Sequence, residues 1–408
     1  MDTRDCYTEN HMKRAWVEVN LDNLAENYRY IRRKVPKQTQ VLSIVKANAY
    51  GCGEIDITTE LVALGTDWLG VASIEEAITI RDAAPETPIL VFGFTPVNCV
   101  RLLNKYNITQ TVMSLEYACM LQEYAQQNHM VFDVHLKLNT GMNRIGLDCC
   151  TEEGKQKTLD ACDLIYTMSG LRVGGVYTHM PSSYGFVEDD LQFTKHEFDL
   201  FCEMIEEIRS RGHHVGLRHC ATSAACINYP EFALDMVRPG SALYGIITDK
   251  YYLEKTDFRP VISLRAIVVQ VKDIYPGQTI SYGRTYNASS HRRIATISAG
   301  FADGVQRRLN NNGKVLICGT LCDIVGIVCM DFIMADVTDV PEVEAGTIAT
   351  FIGEDGENAI AFEDWESTIG CGMTEALCTI PGRAIRIYIR NGKPTHFTRY
   401  TRKEIAIS

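Results

Sequence analysis

The chain has 408 residues, and division by about 150 points to two or three domains, or to one large barrel with an appendage. Hydrophobic residues at 46% and charged residues at 22% exclude a disordered, collagen-like or disulfide-stapled chain. Lys and Arg number 40 against 51 Asp and Glu, and the net charge of -11 repels a phosphate backbone on average, so no nucleic-acid partner is expected.

In chain order, residues 1–13 are polar and unpatterned and read as a flexible segment. Val/Ile/Leu-rich runs follow at Trp16 to Leu21, Gln40 to Val45, Trp68 to Val71, Pro88 to Phe92, Thr109 to Met113, Phe132 to Leu138, Val173 to Thr178 and Val215 to Cys220. Amphipathic text separates them. Leu21 to Arg33 carries Asp22 near its start, and Asp189 to Arg211 repeats Leu191, Phe198, Phe201, Ile205 and Ile208 at helical spacing. Strand and helix in alternation, about eight times over, predict an N-terminal (β/α)8 barrel at 14–250. Beyond it, Val261 to Val271, Arg293 to Ala299, Lys314 to Cys318, Asp323 to Val328, Ile333 to Val337 and Thr347 to Ile352 are short strands between Gly, Pro, Asn and Asp turns. They predict a C-terminal, mostly β domain at 251–408.

The start of the chain reads without a secretory leader, so the fifteen cysteines are expected to be reduced thiols of a cytoplasmic protein. Cys318, Cys322 and Cys329 alternate with apolar residues and read as small hydrophobes, so no metal is expected. No apolar run reaches the ~18 residues of a spanning helix, and no membrane segment is expected.

In such a barrel the reacting groups stand at the carboxyl ends of the strands. Those ends carry Lys46, Ser73, Phe92, Arg144, His179, Ser223 and Arg238. Lys46 closes the run Val41 to Val45, where a partly buried ammonium would be desolvated towards the neutral, nucleophilic amine.

The segment Val45-Lys46-Ala47-Asn48-Ala49-Tyr50-Gly51 resembles the pyridoxal-phosphate lysine motif of the alanine racemase family, whose members join such a barrel to a C-terminal β domain. Gly141 to Gly146, Tyr177-Thr178-His179, Arg238-Pro239-Gly240, Ser281-Tyr282-Gly283, Ala302-Asp303-Gly304 and Cys329-Met330-Asp331 resemble further motifs of that family, in its order. The resemblance spans about Trp16 to Arg386 and implies pyridoxal 5'-phosphate as cofactor. It makes Lys46 the residue that holds the cofactor aldehyde and acts as one base, with Tyr282 as the other. Tyr282 would come from a partner subunit, so a homodimer with shared sites is implied. Arg238 resembles the arginine set against the pyridine nitrogen, and His179 the histidine linking it to the tyrosine. Arg144 resembles the residue that bonds the phenolic oxygen and takes part in substrate binding. Tyr50, Ser223, Gly240 and Ser241 look like phosphate contacts, and Met330 with Asp331 like the segment receiving the substrate carboxylate. Lys137 sits where some members carry a carbamylated lysine.

Departures from the family gather at the substrate entrance. Gly382 stands where a tyrosine is usual, Tyr184 where an aspartate is usual, Ile327 where its arginine partner is usual, and Phe301 where a tyrosine is usual; Thr222 replaces a common asparagine. Losing both members of an ion pair together leaves no buried charge stranded. The resemblance implies a racemase interconverting L- and D-alanine to supply cell-wall peptidoglycan, with a serine or broader-specificity racemase as the alternative. A decarboxylase of the same architecture is disfavoured by Arg238, and a non-catalytic vitamin-B6 carrier by the β domain.

Overall fold

The structure is a computed structural model that describes residues 14–185, 187–246 and 256–398. The segment expected to be flexible, 1–13, lies outside them, as does most of the expected domain boundary around 250. Contacts divide the chain into two compact units, one of Ala25–Ala49 and Glu54–Arg259, the other of Met1–Leu24, Tyr50–Gly53 and Pro260–Ser408.

The first unit is a nearly closed barrel of eight parallel strands. Their order is Met236–Val237, Gln40–Ile44, Trp68–Val71, Ile89–Val91, Ile108–Val112, Phe132–Asn139, Leu171–Tyr177 and Leu217–His219. Val41, Leu42, Leu69, Val71, Ile89, Leu90 and Val91 are fully buried, as expected of parallel strands covered on both faces. Sparse bonds close the seam between last and first strands: Asp235 N donates to Arg218 O (3.1 Å) and Arg238 N to Ala221 O (2.9 Å). Ser73, Ser114 and Thr151 cap the helices that begin after them, each hydroxyl accepting a backbone N–H of the first turn. The long helix Glu188–Ser210 buries Leu200, Phe201, Met204, Ile205 and Ile208.

Trp16 to Leu21 is not the first barrel strand. Ala15–Asn20 belongs to the second unit, antiparallel to Ile262–Ile274 and parallel to Ile385–Arg390. Its place among the eight is taken by Met236–Val237, two residues long and too short to stand out as an apolar run. A strand buried in either sheet reads as the same apolar text, so periodicity does not decide which sheet it joins.

The second unit is built on a sheet ordered Thr320–Asp323, Lys314–Ile317, Ile348–Asp355, Ile262–Ile274, Ala15–Asn20, Ile385–Arg390 and Lys393–Thr398; Arg292–Ile297 branches from the long central strand and pairs in turn with Ile333–Asp336. The strand expected at Asp323 to Val328 is displaced. The ladder runs over Thr320–Asp323, and beyond it Ile324 makes only an isolated bridge to Ala335. The loop Tyr50–Gly53 is tied into this unit: Arg386 Nε donates to Gly51 O and Tyr388 Oη to Cys52 O, both at 3.0 Å. A Cβ on Gly51, whose φ is +83°, would lie 2.5 Å from Leu377 O, so only glycine fits. Among the described residues no helix is long and apolar enough to cross a membrane.

Candidate active site

The end of the Lys46 strand is held between its neighbours: Ile44 N donates to Pro239 O (3.0 Å) and Val45 N to Gly70 O (2.9 Å). Lys46 follows, at the rim of the barrel. The chain then makes a left-handed turn through four non-glycine residues, Ala47, Asn48, Ala49 and Tyr50, with φ of 54°, 56°, 50° and 54°. Each costs roughly 1–2 kcal/mol relative to the right-handed form, so the turn persists only because its surroundings impose it. Asn48 Oδ1 accepts from Glu54 N (3.0 Å), and Glu76 Oε1 accepts from Ala47 N (2.7 Å). Lys46 itself is exposed, which corrects the expectation of a desolvated ammonium at this strand end. The first residue past a barrel rim meets loops, and the packed interior begins below it.

That interior is polar where the site needs it. Arg238, closing Met236–Val237, is buried; its guanidinium donates to His219 Nδ1 (3.0 Å), Thr178 O (2.7 Å) and Cys220 O (3.2 Å). A guanidinium only donates, so His219 Nδ1 accepts and its proton sits on Nε2. Nε2 in turn donates to His135 Nδ1 (2.9 Å), which fixes that tautomer as well. Both rings are neutral, and burial agrees: it holds His219 well below its usual range and lowers His135 to about 4. Arg238, lowered to about 10 by burial, keeps its charge at neutral pH. Tyr177 stacks on His219 (4.8 Å, 7°) and meets Thr111 Oγ1 through its hydroxyl (3.0 Å).

Lys137 lies under this group, 3% exposed, with Nζ donating to Leu138 O and standing 5.5 Å from the Tyr177 ring centre. Burial first, then the charges of Arg238 and Arg144, lower it to about 7. Its ionisable neighbours also include Cys149 and the buried Glu197, the latter raised to about 7 by burial, with Oε1 meeting Thr140 Oγ1 at 3.4 Å. His179 is held well below its usual range by burial and then by the positive charges of Arg238, Arg144, Lys137 and Lys46. Thus Lys46, Lys137, Arg144, His179 and Arg238 share one neighbourhood of the barrel. Ser223, first residue of the helix Ser223–Asn228, accepts from both Gly240 N (2.9 Å) and Ala242 N (3.2 Å). The hydroxyl and amide donors of Ser223, Gly240 and Ser241 are gathered at one strand end. Tyr184 is 53% exposed.

His135 carries a stability prediction. Its folded pKa lies below the unfolded value of about 6.5, so its contribution is present above pH 6.5 and is lost as pH falls towards 4. Between pH 7.5 and 5.0 the parent is expected to lose about 2 kcal/mol more than His135→Gln, which has no proton to take up. Glu54 and Glu197, both raised to about 7, act in the opposite sense in the same window but are common to both proteins. Urea unfolding at the two pH values checks this; equal losses would rule out His135 as the source.

The second unit brings together the other residues singled out in the sequence. Tyr282, 71% exposed, sits between Ser281 and Gly283, both with positive φ. Ser281 Oγ donates to Ile327 O (2.7 Å), which ties the Tyr282 turn to the segment before Met330. Phe301 N donates to Cys329 O (3.0 Å) and Ala302 N to Met330 O (3.1 Å), so Phe301 and Met330 ride on adjoining loops. Asp331 pairs with Arg383 (2.5 Å), which also reaches Asp303 (3.0 Å). Tyr282, Phe301, Met330 and Phe332 are all large, apolar and exposed. Tyr50, also in this unit, has a phenol that burial pushes up.

Sequence reasoning passed over His135, His219 and Glu76. A signal existed for the first: in Phe132–Asn139 the polar residues Asp133, His135, Lys137 and Asn139 alternate with Val134, Leu136 and Leu138, so one side of the strand is polar throughout. Arg238 bonds His219, a partner that the sequence reading, which named His179, did not include.

Known proteins match both units. The family model for the alanine racemase N-terminal domain matches residues 19–248, and that for the C-terminal domain matches 261–388. Alanine racemase 1 of Clostridium acetobutylicum is 34% identical over 391 residues, covering 96% of this chain and 99% of the relative. The alanine racemase of Carboxydothermus hydrogenoformans is 36% identical over 379 residues, covering 93% and 100%. Among solved structures, alanine racemase of Clostridium difficile 630 superposes with a TM-score of 0.88 at 30% identity, covering 95% of this chain and 99% of that one. That of Bacillus anthracis with bound L-Ala-P gives 0.85 at 30% identity, covering 95% and 98%. Two family models in sequence over one chain, and relatives matched from end to end, place the barrel and the β unit in a single architecture: the chain belongs to the alanine racemase family.

Proposed function

We propose that the chain is a pyridoxal-phosphate-dependent alanine racemase in which Lys46 and Tyr282 are the two bases. The observation that carries this reading is Arg238, a buried guanidinium, charged at neutral pH and locked by three acceptors at a strand end whose neighbourhood includes Lys46. The residues present fit pyridoxal phosphate by their chemistry: an exposed strand-end amine, a guanidinium fixed where protonation of a facing ring nitrogen is disfavoured, and neutral hydroxyl and amide donors for a phosphate. Lys46 Nζ would hold the aldehyde carbon, Arg238 would face the pyridine nitrogen, and Arg144 the phenolic oxygen. Ser223, Gly240 and Ser241 would hold the phosphate. When bound, the cofactor withdraws electrons from the substrate Cα and so makes its proton removable.

A racemase needs two bases, because one alone returns the proton to the face it left. Lys46 Nζ serves one face of Cα and the Tyr282 hydroxyl the other, with Met330 and Asp331 beside the substrate carboxylate. Tyr282 would act in the partner subunit's site, and its exposure with Phe301, Met330 and Phe332 supports a homodimer that covers them. Lys137 is suited to carbamylation, since an amine lowered to about 7 is largely uncharged at mildly alkaline pH and nucleophilic towards carbon dioxide. Relatives solved with cycloserine and with L-Ala-P support an alanine-sized substrate. Serine is the second reading, favoured by Gly382.

Borohydride reduction of the holoenzyme followed by peptide mapping tests the Lys46 assignment: the reduced cofactor is expected on Lys46, and its recovery on any other lysine refutes it. Specificity is tested at Gly382, which is not among the glycines of positive φ and so accepts a side chain without backbone strain. Gly382→Tyr is expected to shift the ratio of kcat/KM for L-alanine over L-serine upward by roughly 10–200-fold, the discrimination a pocket wall can supply. An unchanged ratio in a folded, cofactor-loaded variant would move specificity to Tyr184, Ile327 or Phe301.

A further inference from the structure

We infer that Glu76 is a positioning residue for Lys46, holding the peptide that follows it by bridging the ends of two neighbouring barrel strands. Glu76 is the third residue of the helix Ile74–Arg81. An acid at that place ordinarily turns back only to the start of its own helix. Here Oε2 accepts from Ala72 N at 2.7 Å, just before the capping Ser73, while Oε1 crosses to Ala47 N, also at 2.7 Å. The two amides belong to different loops, one after Gln40–Ile44 and one after Trp68–Val71, which pair in parallel with Ile44 opposite Gly70. One carboxylate therefore joins two strand ends through two charge-assisted bonds.

Ala47 is the first residue of the left-handed turn, and its N–H lies in the peptide plane that also contains the Lys46 carbonyl. Anchoring that amide fixes ψ of Lys46, and with it the direction from which the side chain leaves the rim. At the far end Asn48 Oδ1 accepts from Glu54 N (3.0 Å), so side-chain bonds brace the turn on both sides. Glutamine would replace only half of the bridge, because its oxygen can serve one amide while its NH2 group would confront the other N–H. Alanine would replace none of it.

The inference rests on the reading that Lys46 carries the cofactor, and the test separates the two. Holoenzymes of the parent, Glu76→Gln, Glu76→Ala and Ser114→Ala are compared; the last removes the cap of the helix Leu115–Asn128, at Tyr117 N, as a baseline for loss of a helix cap alone. Four readouts are taken: kcat and KM for L-alanine, hydrogen exchange of the peptide spanning 45–51, the pH at which the visible absorbance of the lysine-bound cofactor titrates, and borohydride mapping. Glu76→Ala is expected to lower kcat by about 10- to 100-fold, the scale of a reacting group displaced by about an ångström, with KM changed by less than about threefold. It is also expected to speed exchange at 45–51 and to shift the titration. Glu76→Gln should fall between it and the parent, and carries the test alone if the alanine variant does not fold. Ser114→Ala should lose stability while keeping kcat, exchange and titration. A Glu76 variant with parental kcat, exchange and titration, or one indistinguishable from Ser114→Ala, would overturn the positioning role. Mapping of the parent's cofactor to another lysine would instead overturn the Lys46 reading, and protected exchange at 45–51 that depends on Glu76 would then be structural only, which also ends the inference.

Discussion

Replacing Tyr282 by Phe is expected to lower racemisation in both directions by about 10²–10⁴-fold, the range for removal of a general acid–base group, while the cofactor stays bound with its parental absorbance. The substitution deletes one hydroxyl from a side chain that is 71% exposed and leaves the Ser281 to Ile327 bond that shapes its turn, so folding should be untouched. Lys46→Ala should be equally inactive. Mixing the two inactive homodimers distinguishes a shared site from a private one. If tyrosine and lysine come from different subunits, a mixed dimer contains one complete site and one doubly defective site. Half of the randomised dimers are mixed, so about a quarter of parental activity should return. If exchange is demonstrated and no activity returns, the tyrosine serves its own subunit.

Arg238→Leu is expected to destabilise the barrel strongly. It strands three buried acceptors, His219 Nδ1, Thr178 O and Cys220 O, and each lost partner costs about 1–3 kcal/mol. The loss should therefore reach at least about 3 kcal/mol in urea unfolding, and His219, freed of the donor that fixed its tautomer, should no longer hold His135 in one orientation. Arg238→Lys, with a single ammonium, should recover only part. A loss below about 1 kcal/mol for the leucine variant would mean that water or a neighbour satisfies those acceptors.

Seven of the eight barrel strands were legible in the sequence because strands covered on both faces are rich in Val, Ile and Leu, as Val41 to Val45 is, and even Phe132–Asn139 keeps an apolar residue at every second position. Met236–Val237 was not, because two residues leave no pattern, and it is located by the backbone bonds around Arg238 rather than by hydrophobicity. Ala15–Asn20 was legible as a strand but not by its sheet, since Trp16, Val17 and Val19 are fully buried and would be so in either unit. Lys46 and Arg238 were found through motifs, yet the state of Lys46 was misjudged: strand-end position suggested burial, and the left-handed turn of Ala47 to Tyr50 leaves it at an exposed rim. Nothing in Ala-Asn-Ala-Tyr announces four positive φ angles in succession; only Asn48 favours that region. The carboxylate that bridges to this turn comes from Glu76, some thirty positions away, which spacing alone does not connect.

The central claim, that this chain removes and returns the Cα proton of alanine on both faces, is tested most directly by incubating L-alanine with the pyridoxal-phosphate-loaded protein in D2O and resolving the enantiomers by chiral chromatography with mass detection. The account predicts D- and L-alanine approaching equal amounts, each carrying deuterium at Cα. L-Alanine recovered unchanged, from protein shown to be folded and to hold its cofactor, would contradict it.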